Sequence, residues 1–569
     1  MDTVHLDIPY ELRIGVTGHR ELGNSVLIRQ TIDNLIDRLA GLFGQCEQTP
    51  LEWVVISPLA KGADRLVAKS VLRYPASQLE VITPFPLEEY RKDFSDIEDL
   101  SEFDELFDKK RFLVELETDD SVSDNPHLRN TAYLRAGKAV VDSCEILIAV
   151  GDGKPAKGMG GTGDIVSYAL ERGHIVLWID TEEPAAEPKM LSHSESDGLG
   201  NTDSQFQYEI KPIPDNAKDL SLGYHQLAAY CSDTAIKQDE FESKLKHTQK
   251  SLSSLAYKAG LPVEKLKPIF EHIMPHYVRA DALTLRYQKL HVMASKAIFL
   301  LSATAVSIAV FQVLFYPHHV WIIGFEIIAM IGALLAFSIN KKQAWHEKWL
   351  HDRFLAEQLR TSMYTLILGK DPCANLTHAP GMLPFYAGPK SWLLSTGSRL
   401  TKKALHEVEA LEELDQACKF ITTGWLEDQQ DWHYKNAVRK ETSSHRTTRT
   451  VLTAFWLTLA MACLHFFGVG HHDEGPLILS LGNWITFIAI ISPAWGASAH
   501  AIGKLLEYER IAMRSEQMAR ELKRISSLAE DVQTQSELNS IVNQATRIIN
   551  LENYEWWVLL SFNPPELAA

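Results

Sequence analysis

The sequence predicts an α/β domain with a doubly wound parallel sheet, followed by an all-α membrane domain with four transmembrane helices and long cytoplasmic helices. In residues 12–180, short and continuously apolar runs alternate with amphipathic helical patterns, which is typical of parallel strands covered on both faces. Farther along the chain, four apolar runs each approach the roughly 20 residues that a helix needs to cross the hydrocarbon of a bilayer.

Residues 1–180 are expected to form one ligand-binding domain, and residues 181–214 are expected to form a linker. The linker prediction rests on a polar composition that is rich in turn-forming residues. From residue 215 to residue 296 the pattern is helical, with few helix breakers. The predicted strands of the first domain are Leu12–Val16, Trp53–Ser57, Leu79–Thr83, Glu145–Val150 and Ile175–Ile179.

The apolar runs form two predicted hairpins, 297–315 with 320–338 and 451–469 with 477–499. Lys and Arg residues stand where each hairpin begins and ends, and none stands in the short connection inside either hairpin. By the positive-inside rule, this distribution predicts a multi-pass membrane protein with both termini and the central segment in the cytoplasm. Buried core helices are the alternative interpretation, and the consistent charge distribution argues against it.

Both hairpins have similar neighbours along the chain. A basic amphipathic helix leads into each hairpin, and a charged helix follows it. The charged helices share a small-Glu-Gln-apolar core, at Ala356–Leu359 and at Ser515–Met518. The membrane part is therefore predicted to contain two copies of one module, at 215–370 and 401–569, with a cytoplasmic loop at 371–400.

The composition excludes several classes of function. The formal net charge of −17 argues against nucleic-acid binding, which would need a basic face. The six cysteines contain no Cys-x-x-Cys pair, so neither a zinc knuckle nor a disulfide framework is expected, and no metal site is predicted. The P-loop, Gly-x-Ser-x-Gly and His-Glu-x-x-His motifs are also absent. The sequence therefore predicts no catalytic set and no resident cofactor.

The segment Gly158–Asp164 is the most informative motif for ligand binding. It lies between a predicted buried strand and the apolar start of a helix at Ile165. Glycines let bare N–H groups approach an anion, and a helix N-terminus adds the positive end of its dipole. This arrangement predicts a phosphate cradle. Asp152 and Asp164 flank it and are interpreted as ribose-binding or helix-capping residues, with acid–base chemistry as the alternative.

Three further loops follow predicted strands, at Gly15–Arg20, Ser57–Arg65 and Pro84–Phe94. Because the carboxyl ends of parallel strands share one edge of a sheet, these loops are expected to converge on the glycine loop. Arg can bind phosphate with two hydrogen bonds, and Tyr or Phe can stack on a base. Ordinary turn chemistry would explain any one loop, but four at one edge favour a nucleotide pocket. The predicted ligand-binding residues are Gly15, Thr17, Gly18, His19, Arg20, Ser57, Lys61, Gly62, Ala63, Asp64, Arg65, Tyr90, Arg129, Asp152, Gly160, Gly161, Thr162, Gly163 and Asp164.

Residues 12–180 resemble a SLOG domain, the Rossmann-like fold of the LOG nucleotide-processing enzymes. The resemblance rests on Gly15–Arg20, Lys61–Asp64, Val140–Asp142 and Gly160–Gly163. It implies a small nucleotide signal, such as the ADP-ribose derivatives bound by SLOG sensors in Thoeris anti-phage effectors and melastatin-type channels, or a cyclic nucleotide. Enzymatic members have a Glu about three residues past the Thr of the glycine motif. This chain has Ile and Val there, so the resemblance favours binding without turnover.

The membrane half is similar to SLATT modules, which are two-helix membrane effectors found beside SLOG domains. The similarity rests on Trp425–Gln429 with Trp432, Tyr434 and Lys435, and on Arg353 with Glu357 and Arg360. It implies a pore-forming or membrane-disrupting effector. Because two hairpins per chain are few for a pore, assembly as a homo-oligomer is expected.

The loops and apolar runs favour a nucleotide-gated membrane effector, with a small nucleotide and the lipid bilayer as its partners. The resemblance implies that it belongs to a bacterial anti-phage system and lies in the cell inner membrane. A membrane-anchored nucleotide- or NAD-processing hydrolase of the LOG type is the alternative, and a passive membrane scaffold is a third. Glu326 lies inside the second apolar run, where a carboxylate is costly, and it is the candidate pore residue. Protonation or snorkelling of its side chain is the alternative interpretation.

Overall fold

The computed structural model describes residues 6–44, 46–94, 96–116, 126–154, 159–193, 208–370, 391–470 and 476–561. The chain divides into two units. The first, called the α/β unit, comprises His5–Thr234 and Thr377–Thr396. The second, called the helical unit, contains Ala235–Leu376 and Gly397–Ala569.

The described part of the α/β unit contains eight strands and seven α-helices. The strands are β1 (Tyr10–Gly18), β2 (Leu51–Ser57), β3 (Ser77–Thr83), β4 (Lys110–Glu115), β5 (Ile146–Gly151), β6 (Ile175–Asp180), β7 (Lys189–His193) and β8 (Tyr208–Pro212). The helices are α1 (Ser25–Phe43), α2 (Ala63–Val71), α3 (Leu87–Tyr90), α4 (Ile97–Phe107), α5 (Pro126–Ser143), α6 (Thr162–Glu171) and α7 (Leu222–Cys231).

The strands form one sheet in the order β4-β3-β2-β1-β5-β6-β7-β8. Strands β1 to β6 run parallel, while β7 and β8 pair antiparallel at one edge. The order reverses between β1 and β5, which is the doubly wound topology, so the predicted Rossmann-like fold class is confirmed. Ligands of such sheets bind beyond the carboxyl ends of the strands at this switch point.

The central strands are apolar because helices cover both faces of the sheet. Val54 and Ile56 of β2 and Leu147 of β5 are fully buried. Val140 of α5 and Ile165 of α6 belong to the same core cluster. Burial on both faces explains why these strands read as continuous apolar runs instead of alternating patterns.

The sheet is wider than the sequence predicts, because β4, β7 and β8 lie in polar segments. Strand β4 is an edge strand with an apolar run of only three residues, of which Phe112 and Val114 are exposed. Strands β7 and β8 fall within 181–214, the predicted linker, where Leu191 is buried against the core. A short strand added at a sheet edge needs few apolar residues. The α/β unit consequently extends past residue 180.

The helical unit consists mainly of long helices. Helix α13 begins in the α/β unit and ends in the helical unit, and a π-helical turn, Thr422–Leu426, joins α14 to α15. The helices are α8 (Gln238–Lys258), α9 (Lys267–His272), α10 (Met274–Phe315), α11 (Ile323–Lys342), α12 (Trp345–Thr365), α13 (Ser391–Leu405), α14 (Leu414–Ile421), α15 (Glu427–Phe466), α16 (Leu481–Leu505), α17 (Tyr508–Glu530) and α18 (Gln535–Ser561).

Four helical stretches of the described chain are long and apolar enough to cross a membrane, which confirms the predicted number. They are Met274–Phe315, Val320–Lys342, Leu414–Phe466 and Leu481–Glu530. Helix α16 packs against α10, where the Trp495 Nε1 donates to Ser307 Oγ at 3.0 Å and the Ser498 Oγ donates to the Phe299 carbonyl at 3.1 Å. Helix α11 packs on the other helix of its hairpin, α10, and α15 packs on α16.

Both hairpins end in the same backbone turn. Ala344, between α11 and α12, has φ +49°, and Glu507, between α16 and α17, has φ +47°. We call these residues the first and the second joint. The Ala344 N–H donates to the Lys341 carbonyl at 3.2 Å, and the Glu507 N–H donates to the Lys504 carbonyl at 3.1 Å. A left-handed residue with a Cβ costs about 1–2 kcal/mol, so its recurrence at corresponding places supports the duplicated module.

The positions of the two joints show that the predicted correspondence between the two charged helices is wrong. Ser515 follows the second joint by about two helical turns, whereas Ala356 follows the first joint by about three. The segments Ala356–Leu359 and Ser515–Met518 therefore do not occupy equivalent positions, although their letters are similar.

Candidate functional site

The loop after β1, the end of β5 and the start of α6 meet at the switch point of the sheet. The His19 N–H donates to the Val150 carbonyl of β5 at 3.0 Å. A Cβ added at Gly151 would lie 3.4 Å from Thr162 Cγ2 and 3.5 Å from His19 Nε2. Three of the segments that the sequence predicts to converge are therefore in contact.

The loop after β1 also touches the start of α2, and glycines make this approach possible. Gly62 is the N-cap of α2 with φ +88°, and a Cβ there would lie 2.4 Å from the Arg20 carbonyl oxygen. A Cβ at Gly18 would lie 2.4 Å from Ala63 Cβ. The Ala63 N–H donates to the His19 carbonyl at 3.1 Å. These glycines bring His19 and Arg20 beside the first turn of α2.

The glycine loop presents backbone donors at the start of α6. Gly160 has φ +85°, and its N–H donates to Asp164 Oδ2 at 2.9 Å. Gly161 is the N-cap of α6 and has no side chain that could cap the helix. Within the described part of the chain, the N–H groups of Thr162 and Gly163 have no hydrogen-bond partner. Two donors at the positive end of the helix dipole are thus available to an anion.

Asp152 follows β5 and lies beside His19. The distance from His19 Nε2 to Asp152 Oδ1 is 3.5 Å. The Lys154 N–H donates to Asp152 Oδ1 at 3.2 Å, and this hydrogen bond lowers the pKa of the Asp152 carboxyl. An ionised carboxylate accepts hydrogen bonds only, which suits the hydroxyl groups of a ribose.

Asp64 is a buried carboxyl in the first turn of α2. Burial raises the pKa of Asp64 from its ordinary value to about 7. The Ala60 N–H, which donates to Asp64 Oδ2 at 3.3 Å, acts in the opposite direction, as do Arg20 and the Ser57 hydroxyl. Leu59 in the same loop has φ +57°, an unfavourable conformation for a residue with a Cβ. This loop therefore holds a group that changes protonation near neutral pH.

Arg20 is an exposed cation without an ion pair among the described residues. Its guanidinium carbon lies 4.8 Å from the centre of the Tyr133 ring, and its charge acts on Asp64 and Asp93. The hydroxyl groups of Tyr90 and Tyr133 are buried and have no hydrogen-bond partner among the described residues. Buried polar groups are usually paired, so unused donors and acceptors beside a free cation suggest a ligand.

The positive charge of Arg129 is already balanced by two carboxylates. Its Nη1 donates to Glu89 Oε1 at 2.9 Å, and its Nη2 is paired with Asp93. The guanidinium also lies 4.4 Å from the centre of the Phe85 ring. Burial raises the pKa of Asp93, although Arg129 and Arg20 act to lower it. Arg129 thus holds the loop after β3 in place, and its charge is not free for an anion.

Three predicted residues have mainly structural surroundings. A Cβ at Gly15 would lie 2.6 Å from Cys144 Sγ, so this glycine lets the sheet pack. Arg65 is 1% exposed, and its guanidinium pairs with the Asp99 carboxylate and donates to a backbone carbonyl. Lys61 lines a cavity whose other residues are mostly acidic. Their place at or near the ends of strands, and for Gly15 and Lys61 the SLOG resemblance, are the grounds on which the sequence predicts these residues as ligands.

The remaining predicted residues lie where the loops converge or just beneath them. Thr17 is near the end of β1 and Ser57 ends β2, where its Oγ accepts the Leu59 N–H at 2.9 Å. Tyr90 ends α3 and is fully buried. Gly158, the first residue of the predicted cradle, falls outside the described residues.

The sequence prediction omits Tyr133, Asp93 and Glu89 as site residues. Tyr133 follows Arg129 on α5 by four positions, and Asp93 follows Glu89 by four. Residues with this spacing on a helix share one face. The helical spacing could therefore have identified Tyr133 as a neighbour of Arg129, whereas Glu89 and Asp93 could have been identified only as neighbours of each other.

In the helical unit, the two segments that resemble SLATT modules contact each other. The Arg360 Nη2 donates to Gln429 Oε1 at 2.8 Å and is also paired with Glu357. The ring of Tyr364 stacks on Trp425, with 6.0 Å between their centres. These residues form part of the charged end of the helical unit, outside the apolar segments.

Glu326 lies in the first turn of α11 and is half-exposed. No ion pair joins it to any residue that the structure describes. A carboxylate is stabilised at a helix N-terminus by the helix dipole. This position accounts for its place near the end of an apolar helix, and its role in a pore stays a prediction.

No protein-family model matches the chain, and no curated protein is significantly similar to it. Function is therefore argued from the residues of this chain.

Proposed function

We propose that this protein is a membrane effector that is gated by a small phosphorylated nucleotide, such as an ADP-ribose derivative or a cyclic nucleotide. The observation that carries the proposal is Arg20, an exposed cation at the switch point with no ion pair among the described residues. A phosphate would form charge-assisted hydrogen bonds with it. The same chain contains four helices that can cross a membrane.

Different groups of the site match different parts of a nucleotide. Arg20 and the N–H groups of Thr162 and Gly163 suit the phosphates. Asp152, an ionised acceptor, suits the ribose hydroxyls. The half-exposed imidazole of His19 lies beside Asp152 and offers a ring face for a base.

The helical unit would supply the response. Its apolar helices pack directly on one another, so a pore requires several chains and the proposal includes a homo-oligomer in the inner membrane. Gating requires that the nucleotide bind the active state more tightly than the resting state. The resemblance to SLOG and SLATT modules is the reason for proposing anti-phage defence as the setting.

Calorimetry on the full-length protein in detergent tests the binding step. A panel of ADP-ribose variants and cyclic nucleotides is titrated into the parent protein, into Arg20→Gln and into Arg29→Gln. Arg29 is an exposed arginine of α1, so its substitution removes the same charge outside the site. We expect binding to the parent and to Arg29→Gln, and much weaker binding to Arg20→Gln. Equal affinities for all three proteins would contradict the proposal.

Leakage from liposomes tests the response. The parent protein is expected to release an entrapped dye only when the bound nucleotide is added. Gly161→Glu places a carboxylate at the N-terminus of α6 and is expected to abolish release in a protein that still folds and inserts. Nucleotide binding without any leakage would leave a sensor whose output is not a pore.

One observation favours the alternative, a nucleotide-processing hydrolase. Burial raises the pKa of Asp64 to about 7, which is the range of a general acid or base at neutral pH. Analysis of the titrated nucleotide by chromatography separates the two functions. Intact nucleotide supports the sensor, whereas released base or phosphate that disappears in Asp64→Asn supports the hydrolase.

A further inference from the structure

A polar cavity lies at the second joint, between helices α15, α16 and α17. Its volume is about 380 Å³. Helices α15 and α16 approach closely here, since a Cβ at Gly503 would lie 2.8 Å from Thr447 Cγ2. Its lining includes Ser444, Thr448, His500, Lys504, Glu507 and Glu509.

The cavity offers donors that nothing else in the described chain uses. Lys504, His500, Ser444 and Thr448 have no side-chain hydrogen bond or ion pair among the described residues. Of the two carboxylates in the lining, that of Glu507 already lies 3.7 Å from Arg510 Nη1. Hydroxyl groups beside a free ammonium group are the chemistry that binds a phosphate.

Further basic residues lie next to the cavity, around Lys440. The Lys440 ammonium lies 5.4 Å from the centre of the Tyr508 ring, and Tyr508 lines the cavity. The charges that act on Lys440 are those of Arg353, Arg439 and Lys296, which have the same sign. These like charges around Lys440, with the ammonium group of Lys504 in the lining, favour an anion at this end of the helices.

The position of the cavity favours a lipid over a free anion. It lies where the apolar segments of α15 and α16 end, on the side where Lys and Arg are concentrated. Above Thr448, the same face of α15 continues with Leu452, Phe455 and Leu459, which are 52%, 62% and 43% exposed. Their spacing of four, three and four residues keeps them on one face of the helix. A headgroup in the cavity would leave its acyl chains against this apolar stripe.

We propose that the cavity at the second joint binds the phosphate headgroup of an anionic phospholipid. The first joint has different surroundings, because the rings of His291, His346 and Trp349 pack together there, with 4.6 Å between the two histidine rings. The site is therefore specific to the second module. It is independent of nucleotide binding and requires only that the helices lie in a bilayer.

Thermal unfolding of the full-length protein in detergent tests the site, with phosphatidylglycerol, phosphatidylcholine and inorganic phosphate as separate additives. Phosphatidylglycerol is expected to raise the unfolding temperature of the parent. In Lys504→Gln, the concentration of phosphatidylglycerol needed for half of this effect should rise about fivefold, the contribution of one cation near an anionic lipid.

Lys341→Gln is the matched control, because Lys341 occupies the same place at the first joint, where its carbonyl accepts the Ala344 N–H. Its curve should superimpose on that of the parent. Thr448→Val removes a cavity hydroxyl without changing charge and should also weaken the effect. Equal weakening by Lys341→Gln and Lys504→Gln, or equal stabilisation by phosphatidylcholine, would overturn the proposal. Equal stabilisation by inorganic phosphate would make the cavity a free-phosphate site and would overturn its assignment to a lipid.

Discussion

A partly buried carboxyl group, that of Glu145, and a buried one, that of Asp64, lie at opposite edges of the sheet, and their surroundings differ. Glu145 directly precedes β5 at the amino edge, where it accepts the Tyr10 hydroxyl at 2.6 Å and is hydrogen-bonded to the Ser221 hydroxyl. Asp64 lies at the carboxyl edge, where Ala60 N–H and the Ser57 hydroxyl are its hydrogen-bond donors. Burial raises the pKa of both carboxyl groups.

At the amino edge the protein's own groups satisfy the carboxyl group, whereas buried hydroxyl groups at the carboxyl edge have no partner among the described residues. Tyr10 and Ser221 satisfy Glu145, and Ser221 also caps α7. Near Asp64, the buried hydroxyls of Tyr90 and Tyr133 have no partner among the described residues. The polar groups thus serve structure at the amino edge and leave hydrogen-bonding capacity for a ligand at the carboxyl edge. Four substitutions can break or sharpen this contrast.

Gly62→Ala should have the largest effect. Its Cβ would lie 2.4 Å from the Arg20 carbonyl oxygen, and the residue has φ +88°, so we expect a loss of about 5 kcal/mol in the free energy of unfolding. Gly173→Ala is the control at the amino edge, because Gly173 has φ +75° with nothing within 4 Å of an added Cβ. It should cost only about 1 kcal/mol. Hydrogen exchange of the β1 and β2 amides in the full-length protein measures both, and equal costs would refute a close approach of the loops.

Asp64→Asn should change how stability depends on pH. The pKa of Asp64 is raised in the folded protein from 3.8 to about 7, so its contribution to stability is present below pH 4 and is lost as the pH rises to about 7. Between pH 4 and pH 8, the variant should therefore gain up to about 4 kcal/mol relative to the parent. The same exchange experiment at several pH values measures this difference. A constant difference would show that Asp64 titrates normally.

Tyr10→Phe tests the amino edge. The substitution removes a donor to the partly buried Glu145 carboxyl, so we expect a loss of about 2 kcal/mol in the free energy of unfolding. Nucleotide affinity should not change, because Tyr10 lies at the other edge of the sheet. Calorimetry measures the nucleotide affinity of the variant, and an unfolding experiment measures its stability. Weaker nucleotide binding in this variant would contradict a binding site at the carboxyl edge.

Arg20→Gln tests the carboxyl edge and should have the smallest effect on stability. Arg20 is exposed and has no ion pair among the described residues, so the free energy of unfolding should change by less than about 0.5 kcal/mol. Its affinity for ADP-ribose should fall about tenfold, corresponding to about 1.4 kcal/mol for one charge-assisted hydrogen bond. An unchanged dissociation constant would exclude Arg20 from the site.

The sequence is informative wherever burial dictates residue type. The parallel strands are recognisable because both of their faces are covered, and the apolar helices because of their length. Strands β4, β7 and β8 are missed, since pairing at an edge depends on the neighbouring strand more than on the strand's own residues. The loops of the site are predictable because parallel strands end at one edge. Which side chains point to that edge is not predictable. Arg65, in the first turn of α2, is buried in an ion pair with Asp99, whereas Arg20, on the loop after β1, is exposed over the Tyr133 ring.

Each joint sets the direction of the long helix that follows it, so a small rotation at the joint moves the far end of that helix by a large distance. Helix α17 has 23 residues, so it is about 35 Å long, and its direction relative to α16 depends on the two backbone dihedral angles of Glu507. A rotation of about 10° at this joint would move the far end of α17 by about 6 Å. Movements too small to disturb the packing of the apolar helices can thus correspond to large displacements at the charged end of the helical unit.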